Sequence, residues 1–121
     1  ERILLVEDQA EVRDVIVTAL TENGYIVQEA ATIAEARQWM TRSGDEFDLL
    51  FSDVILPDGN GIDFAEQASN QHPTIKVLIS SGYTEEKYRS DAIDRNRFYF
   101  LQKPYPLHKM LELLHRIFNQ K

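Results

Sequence analysis

The chain has 121 residues, of which 43% are hydrophobic, and this fits one globular domain rather than a disordered chain. It has no cysteine, which excludes disulfide bonds and thiolate metal sites and fits a reducing cytoplasm. Its 20 acidic and 13 basic residues give a net charge of −7, and a field of this sign repels nucleic-acid phosphates. We therefore expect a single cytoplasmic domain over residues 1–121 with no direct contact with nucleic acid or membrane.

Short apolar runs alternate along the chain with longer segments of helical period. The runs predict strands at residues 3–6, 25–27, 47–51, 75–80 and 98–101. Apolar residues at helical spacing predict a helix after each strand, at residues 12–20, 33–43, 62–70, 85–95 and 107–118. This alternation predicts an α/β protein in which a five-stranded parallel sheet lies between two layers of helices.

Polar side chains stand at the ends of four predicted strands. Glu7 and Asp8 follow the first strand, Asp53 the third, Ser81 the fourth and Lys103 the fifth. Because open parallel sheets bind their ligands beyond the carboxyl ends of the strands, we expect these side chains to meet at one edge.

The chemistry of these residues favours a magnesium ion and a phosphoryl group. Three neighbouring carboxylates repel one another, and a hard divalent cation such as Mg²⁺ relieves that repulsion with oxygen ligands. Lys103 can neutralise an added anion and Ser81 can donate a hydrogen bond to it. A carboxylate, a metal, a lysine and a hydroxyl together suit in-line phosphoryl transfer.

With Pro57 and Gly61 after Asp53, Gly82 after Ser81 and Pro104 after Lys103, these residues resemble the signature of response-regulator receiver domains of two-component systems. The resemblance covers essentially the whole chain. It implies a flavodoxin-like, doubly wound sheet with strand order 2-1-3-4-5 and five helices. It also implies a parent protein that is a hybrid sensor histidine kinase or a longer response regulator.

The resemblance implies a role for each residue at the edge. Asp53 would accept a phosphoryl group from the phosphohistidine of a histidine kinase or a histidine phosphotransfer domain. Glu7, Asp8 and Asp53 would hold Mg²⁺ together with the backbone carbonyl of Ile55, and Lys103 would bind the phosphoryl group. The domain would then catalyse its own phosphorylation and dephosphorylation without being a conventional turnover enzyme.

The resemblance also implies a conformational switch. Ser81 would move toward the phosphoryl group, and the aromatic residue three positions before Lys103, here Phe100, would turn inward. Tyrosine is the more usual residue there, so the hypothesis is that coupling through Phe100 rests on packing alone. The family's usual output face would consist of the helix over 85–95, the fifth strand and the last helix. The resemblance also allows a homodimer to form through this face.

Three other functions compete with phosphoryl acceptance. A pseudo-receiver would bind partners without phosphorylation. A phosphatase of the haloacid-dehalogenase type needs an Asp-x-Asp motif after the first strand, where this chain has Glu7-Asp8-Gln9. A flavin-binding protein needs a Ser/Thr-rich phosphate loop at the same place, and the sequence has none there.

Overall fold

The computed structural model describes residues 1–82 and 98–119, and the apolar runs form strands within these two ranges. The elements follow in the order β1 (Arg2–Val6), α1 (Ala10–Glu22), β2 (Ile26–Ala30), α2 (Ile33–Ser43), β3 (Leu49–Asp53), β4 (Ile55–Leu56), β5 (Gly59–Asn60), α3 (Gly61–Gln71), β6 (Lys76–Ser81), β7 (Tyr99–Gln102) and α4 (Leu107–Phe118). A short 3₁₀ helix, Gly44–Glu46, lies between α2 and β3.

The main sheet has five parallel strands in the order β2-β1-β3-β6-β7. The strands β4 and β5 form a separate two-residue antiparallel ladder, so β6 and β7 are the fourth and fifth strands of the predicted sheet. The predicted order 2-1-3-4-5 is therefore confirmed. Four of the five predicted helices are present, and the one predicted over 85–95 lies outside the described residues.

Two strands differ from the expected boundaries by two or more residues at one end or both. The strand predicted at 25–27 is Ile26–Ala30, because an edge strand with one open face tolerates the polar residues Gln28 and Glu29. The strand predicted at 47–51 is Leu49–Asp53, because its ladder with β6 continues to the pair of Asp53 and Ser80. Asp53 is thus the last residue of a buried strand and not the first residue of a loop.

Two apolar cores lie on opposite faces of the sheet, because successive strand residues point to opposite sides. Leu50 belongs to the core under α2 and α3, whereas Leu49 and Phe51 belong to the core under α1 and α4. The last helix contributes three fully buried residues at helical spacing, Met110, Leu114 and Ile117. Among the described residues, no helix combines the length and the hydropathy needed to cross a bilayer.

Candidate phosphorylation site

The carboxyl edge of the sheet carries most of the buried polar side chains. Among residues 1–82 and 98–119, the buried polar residues are Glu7, Ser52, Asp53, Ser69, Ser80 and Ser81. All but Ser69 lie at the ends of β1, β3 and β6. The two cores provide a rigid support for this edge, because the strands that lead to it are packed on both faces.

The structure brings Glu7, Asp8 and Asp53 together at this edge. One carboxylate oxygen from each lies within 4.8 Å of the other two. Glu7 and Asp53 are buried, with 3% and 6% of their surface exposed, whereas Asp8 is exposed. The cluster is therefore closed on the protein side and open to solvent at Asp8.

Lys103 joins this cluster from β7. Its Nζ lies 2.5 Å from Asp53 Oδ1 and 3.9 Å from Glu7 Oε1. The backbone N–H of Lys103 donates to the Ser81 carbonyl at 2.8 Å, which continues the pairing of β6 and β7 as far as the site. The Lys103–Pro104 peptide bond is cis.

The charges at the cluster do not balance without a further cation. The pKa of Asp53 is raised to about 7, chiefly by burial and also by the neighbouring Glu7 carboxyl, while Lys103 opposes both effects. One ammonium group is thus insufficient to keep Asp53 fully ionised at neutral pH. An all-oxygen set with excess negative charge is the donor set that Mg²⁺ prefers, so the residues present fit that ion.

The position of Ile55 also suits an oxygen ligand from the backbone. Gly61 N donates to the Val54 carbonyl at 2.6 Å, and Ile55 pairs with Asn60 in the next position of the β4–β5 ladder. Hydrogen-bonded and non-hydrogen-bonded pairs alternate in an antiparallel ladder. The Ile55 carbonyl therefore points away from β5, and its side chain is 61% exposed.

The two residues with predicted switch roles lie near the site but do not join the acidic cluster. Ser81 is the last residue of β6 and is buried, with its side chain on the opposite face of the strand from that of Ser80. Phe100, in β7, is half-buried and packs against the core under α2 and α3.

Sequence reasoning assigned no role to two hydroxyl groups beside Asp53. Ser80 pairs directly with Asp53, and its buried Oγ lies beside the Tyr105 hydroxyl. Burial raises the pKa of Tyr105 to about 12, with Asp53 and Glu7 adding to the rise and the Ser80 hydroxyl opposing it. The position of Tyr105 directly after Lys103-Pro104 was the only sign in the sequence that this residue could lie near the site. Its closeness to the Asp53 and Glu7 carboxylates is seen only in the fold.

An apolar groove of about 660 Å³ opens beside Lys103. Two of the residues that line it, Val12 and Val15 on α1, expose 38% and 53% of their surface. Pro104, Tyr105 and Leu107 line its other side. Val12 and Val15 were expected only as part of the apolar stripe of a helix, whereas the structure leaves both of them open to solvent next to the acidic cluster.

Comparison with known proteins agrees with the fold. The family model described as "Response regulator receiver domain" matches residues 3–115. The chain is 38% identical over 108 residues to the sensor kinase CckA of Brucella abortus (strain 2308), a match that covers 89% of this chain and 11% of that kinase.

Two further relatives have lengths close to that of this chain. The response regulator receiver protein CpdR of Brucella abortus (strain 2308) is 27% identical over 117 residues, covering 97% of this chain and 96% of that protein. The solved structure of the non-phosphorylated HemR receiver domain from Leptospira biflexa is 31% identical, with a TM-score of 0.89, and covers 99% of this chain and 95% of that one.

Proposed function

Because the chain belongs to the receiver domains of two-component response regulators, we propose that it accepts a phosphoryl group on Asp53 in a reaction that needs Mg²⁺. The observation that carries this proposal is the contact between Lys103 Nζ and Asp53 within a cluster that also holds Glu7 and Asp8. Residues 1–121 would act as one receiver domain. Its donor would be a histidine kinase or a histidine phosphotransfer domain.

The nucleophile is a carboxylate oxygen of Asp53. That oxygen attacks the phosphorus, the bond between phosphorus and the histidine nitrogen breaks, and the imidazole leaves with the bonding electron pair and takes up a proton. Asp53 must be ionised to react, and the rise of its pKa to about 7 works against this in the metal-free chain. Lys103 lowers that pKa and remains beside the acyl phosphate to neutralise part of its charge.

Glu7, Asp8, Asp53 and the backbone carbonyl of Ile55 would hold the Mg²⁺ ion. The ion supplies positive charge to the reacting phosphoryl oxygens when it is bound. Ser81 would donate a hydrogen bond to the phosphoryl group, and Phe100 would transmit the change by repacking. Both switch roles are part of the proposal and not of the observed geometry.

The apolar groove next to Lys103 is the surface on which the phosphohistidine protein would dock. Exposed apolar side chains beside a polar reactive group are typical of a surface that another protein covers. The parent context stays a proposal: the similarity to the sensor kinase CckA favours a hybrid kinase, and a longer response regulator is the alternative. The homodimer and the cytoplasmic location also stay predictions.

The test is incubation of the chain with acetyl phosphate, with and without Mg²⁺, followed by intact-mass measurement. We expect a gain of one phosphoryl group that needs Mg²⁺, is lost in base and is absent from Asp53→Asn. A chain that takes up no phosphoryl group under any of these conditions would instead be a pseudo-receiver that binds partners without phosphorylation.

A further inference from the structure

A turn formed by Pro57 and Asp58 joins β4 to β5 and contacts a helix that is distant in sequence. Asp58 Oδ1 accepts a hydrogen bond from the backbone N–H of Ile33 at 2.9 Å. Its Oδ2 accepts from the N–H of Ala34 at 3.0 Å. One carboxylate thus ties the loop that follows Asp53 to the first turn of α2.

The helix α2 already has a cap from its own sequence. Thr32 Oγ1 accepts from the N–H of Glu35 at 3.1 Å, and Glu35 Oε2 accepts from the N–H of Ala31 at 2.6 Å. These two bonds cap the start of α2 and leave the N–H groups of Ile33 and Ala34 for Asp58. The contact from Asp58 is therefore an additional bond between two segments and not the only cap of α2.

The contact suits an ionised carboxylate. The two backbone N–H groups hold the pKa of Asp58 below its ordinary value, with the Ile33 bond as the largest cause. The positive end of the helix dipole favours the same charge. At neutral pH the carboxylate is thus a persistent acceptor at the end of α2.

The rest of the loop fits closely between α2 and α3. Gly59 has a φ of +153°, and a Cβ at this position would lie 3.0 Å from Ile33 Cδ1. At the base of the loop, a Cβ at Gly61 would collide with the Asp53 carbonyl oxygen. Leu56 is buried in the core under α2 and α3. The hairpin is held at its base by the bond from Gly61 to Val54 and at its tip by Asp58.

Ile55 lies between these two anchor points. The Ile55 carbonyl points away from β5, as the alternation of the ladder requires. The position of this carbonyl depends on the position of the hairpin that carries it. A hairpin free to move at its tip would leave this oxygen less well fixed relative to Glu7 and Asp53. Groups that orient a metal ligand without touching the metal commonly change metal affinity by about 10- to 100-fold.

We propose that Asp58 is a positioning residue for the metal site, because it ties the hairpin that carries the Ile55 carbonyl to the N-terminus of α2. This inference rests on the proposed function, since it assumes that Mg²⁺ binds at the carboxyl edge. It assigns a role to a side chain that contacts neither the ion nor the phosphoryl group. It also predicts that ion binding strengthens the contact of Asp58 with Ile33 and Ala34, because coupling between two sites is reciprocal.

The test is calorimetric titration of the unphosphorylated chain with MgCl₂. Asp58→Ala should weaken Mg²⁺ binding about tenfold, as loss of a group that orients a ligand does. Asp58→Asn keeps one acceptor oxygen and should lie between Asp58→Ala and the wild type. Thr32→Ala is the matched control, because it removes the other cap of α2 without releasing the hairpin, and its Mg²⁺ affinity should equal that of the wild type.

Hydrogen exchange at the amides of Ile33 and Ala34 provides a second measurement that does not depend on activity. Mg²⁺ should slow exchange of both amides in the wild type and have no such effect in Asp58→Ala. Unchanged Mg²⁺ affinity in a folded Asp58→Ala chain would overturn this inference alone, as would an equal loss in Thr32→Ala. Failure of the wild-type chain to bind Mg²⁺ would instead overturn the proposed function and this inference with it.

Discussion

The acidic cluster and the apolar groove are neighbours that share Lys103, but they are built in opposite ways. The cluster consists of charged groups at the ends of strands, and two of them, Glu7 and Asp53, are buried. The groove consists of apolar side chains from a helix and a loop, and some of them, such as Val15, are exposed to solvent. Buried like charges and exposed apolar surface are both unfavourable for an isolated chain.

The difference between these regions assigns them separate tasks. A cation would relieve the excess negative charge of the cluster, whereas another protein would cover the exposed apolar surface of the groove. Substitutions in the cluster should therefore affect phosphorylation by any donor. Changes in the groove affect phosphorylation only by a protein donor.

The largest expected effect is that of Asp53→Asn. The amide is a poor nucleophile, so uptake of the phosphoryl group should fall to background with acetyl phosphate and with a phosphohistidine protein alike. Leu50→Ala provides the contrast, because it opens a cavity in the core and should cost about 2–5 kcal/mol of unfolding free energy. The folded fraction of Leu50→Ala should still be phosphorylated, and intact-mass measurement with urea unfolding checks both statements.

Lys103→Ala should have the next largest effect. Its Nζ contacts Asp53, and loss of a group that stabilises charge in a reacting complex commonly costs about 10²-fold in rate. The rates of phosphorylation by acetyl phosphate and by a protein donor should fall together. A loss confined to the protein donor would mean that Lys103 belongs to the groove and not to the cluster.

Val15→Asp should affect only the protein donor. A charge in the middle of an apolar contact surface commonly costs about 1–2 kcal/mol, or about tenfold in the rate of transfer at low donor concentration. Phosphorylation by acetyl phosphate should not change. Thr21→Asp adds the same charge at an exposed position of α1 outside the groove and should leave both rates unaltered.

The stability of the metal-free chain should depend on pH through Asp53. Its pKa rises on folding from 3.8 to about 7, so the folded state holds the proton more tightly than the unfolded state does. The free energy of unfolding should therefore fall as the pH rises from about 4 to about 7, by at most about 4 kcal/mol. Urea unfolding should show this loss in the wild type, a flatter profile in Asp53→Asn, and recovery on addition of Mg²⁺.

The smallest expected effect is that of Phe100→Tyr. The ring is half-buried at the edge of a core, so an added hydroxyl should change the unfolding free energy by less than about 1 kcal/mol. If coupling through Phe100 rests on packing alone, the new hydroxyl should enlarge the amide shifts that phosphorylation produces in β7 and α4. Equal shifts in the two proteins would contradict that hypothesis.

The sheet and the acidic cluster could be predicted from the sequence because local patterns specify both. A run such as Leu49–Asp53 needs no distant information to indicate a buried strand, and parallel strands carry their carboxyl ends to one edge. Glu7, Asp53 and Lys103 meet for that reason alone.

The missed features depend on contacts between segments that are far apart in sequence. Nothing near Asp58 indicates that it reaches the amides of Ile33 and Ala34. The exposure of Val15 depends on how α1 sits beside the loop that contains Tyr105, and its helical spacing alone indicates a buried residue. Periodicity thus predicts which residues share a face, whereas packing decides which faces are covered.

The central claim is that Asp53 is the residue that takes the phosphoryl group. Borohydride reduces an aspartyl phosphate to homoserine, so phosphorylation of the chain with acetyl phosphate and Mg²⁺, reduction and peptide mapping would locate the modified residue. This account predicts homoserine at position 53 and at no other position, with none formed when Mg²⁺ is omitted. Homoserine at position 8, 2-amino-5-hydroxypentanoic acid at position 7, or a phosphorylated chain with unmodified Asp53 would contradict it.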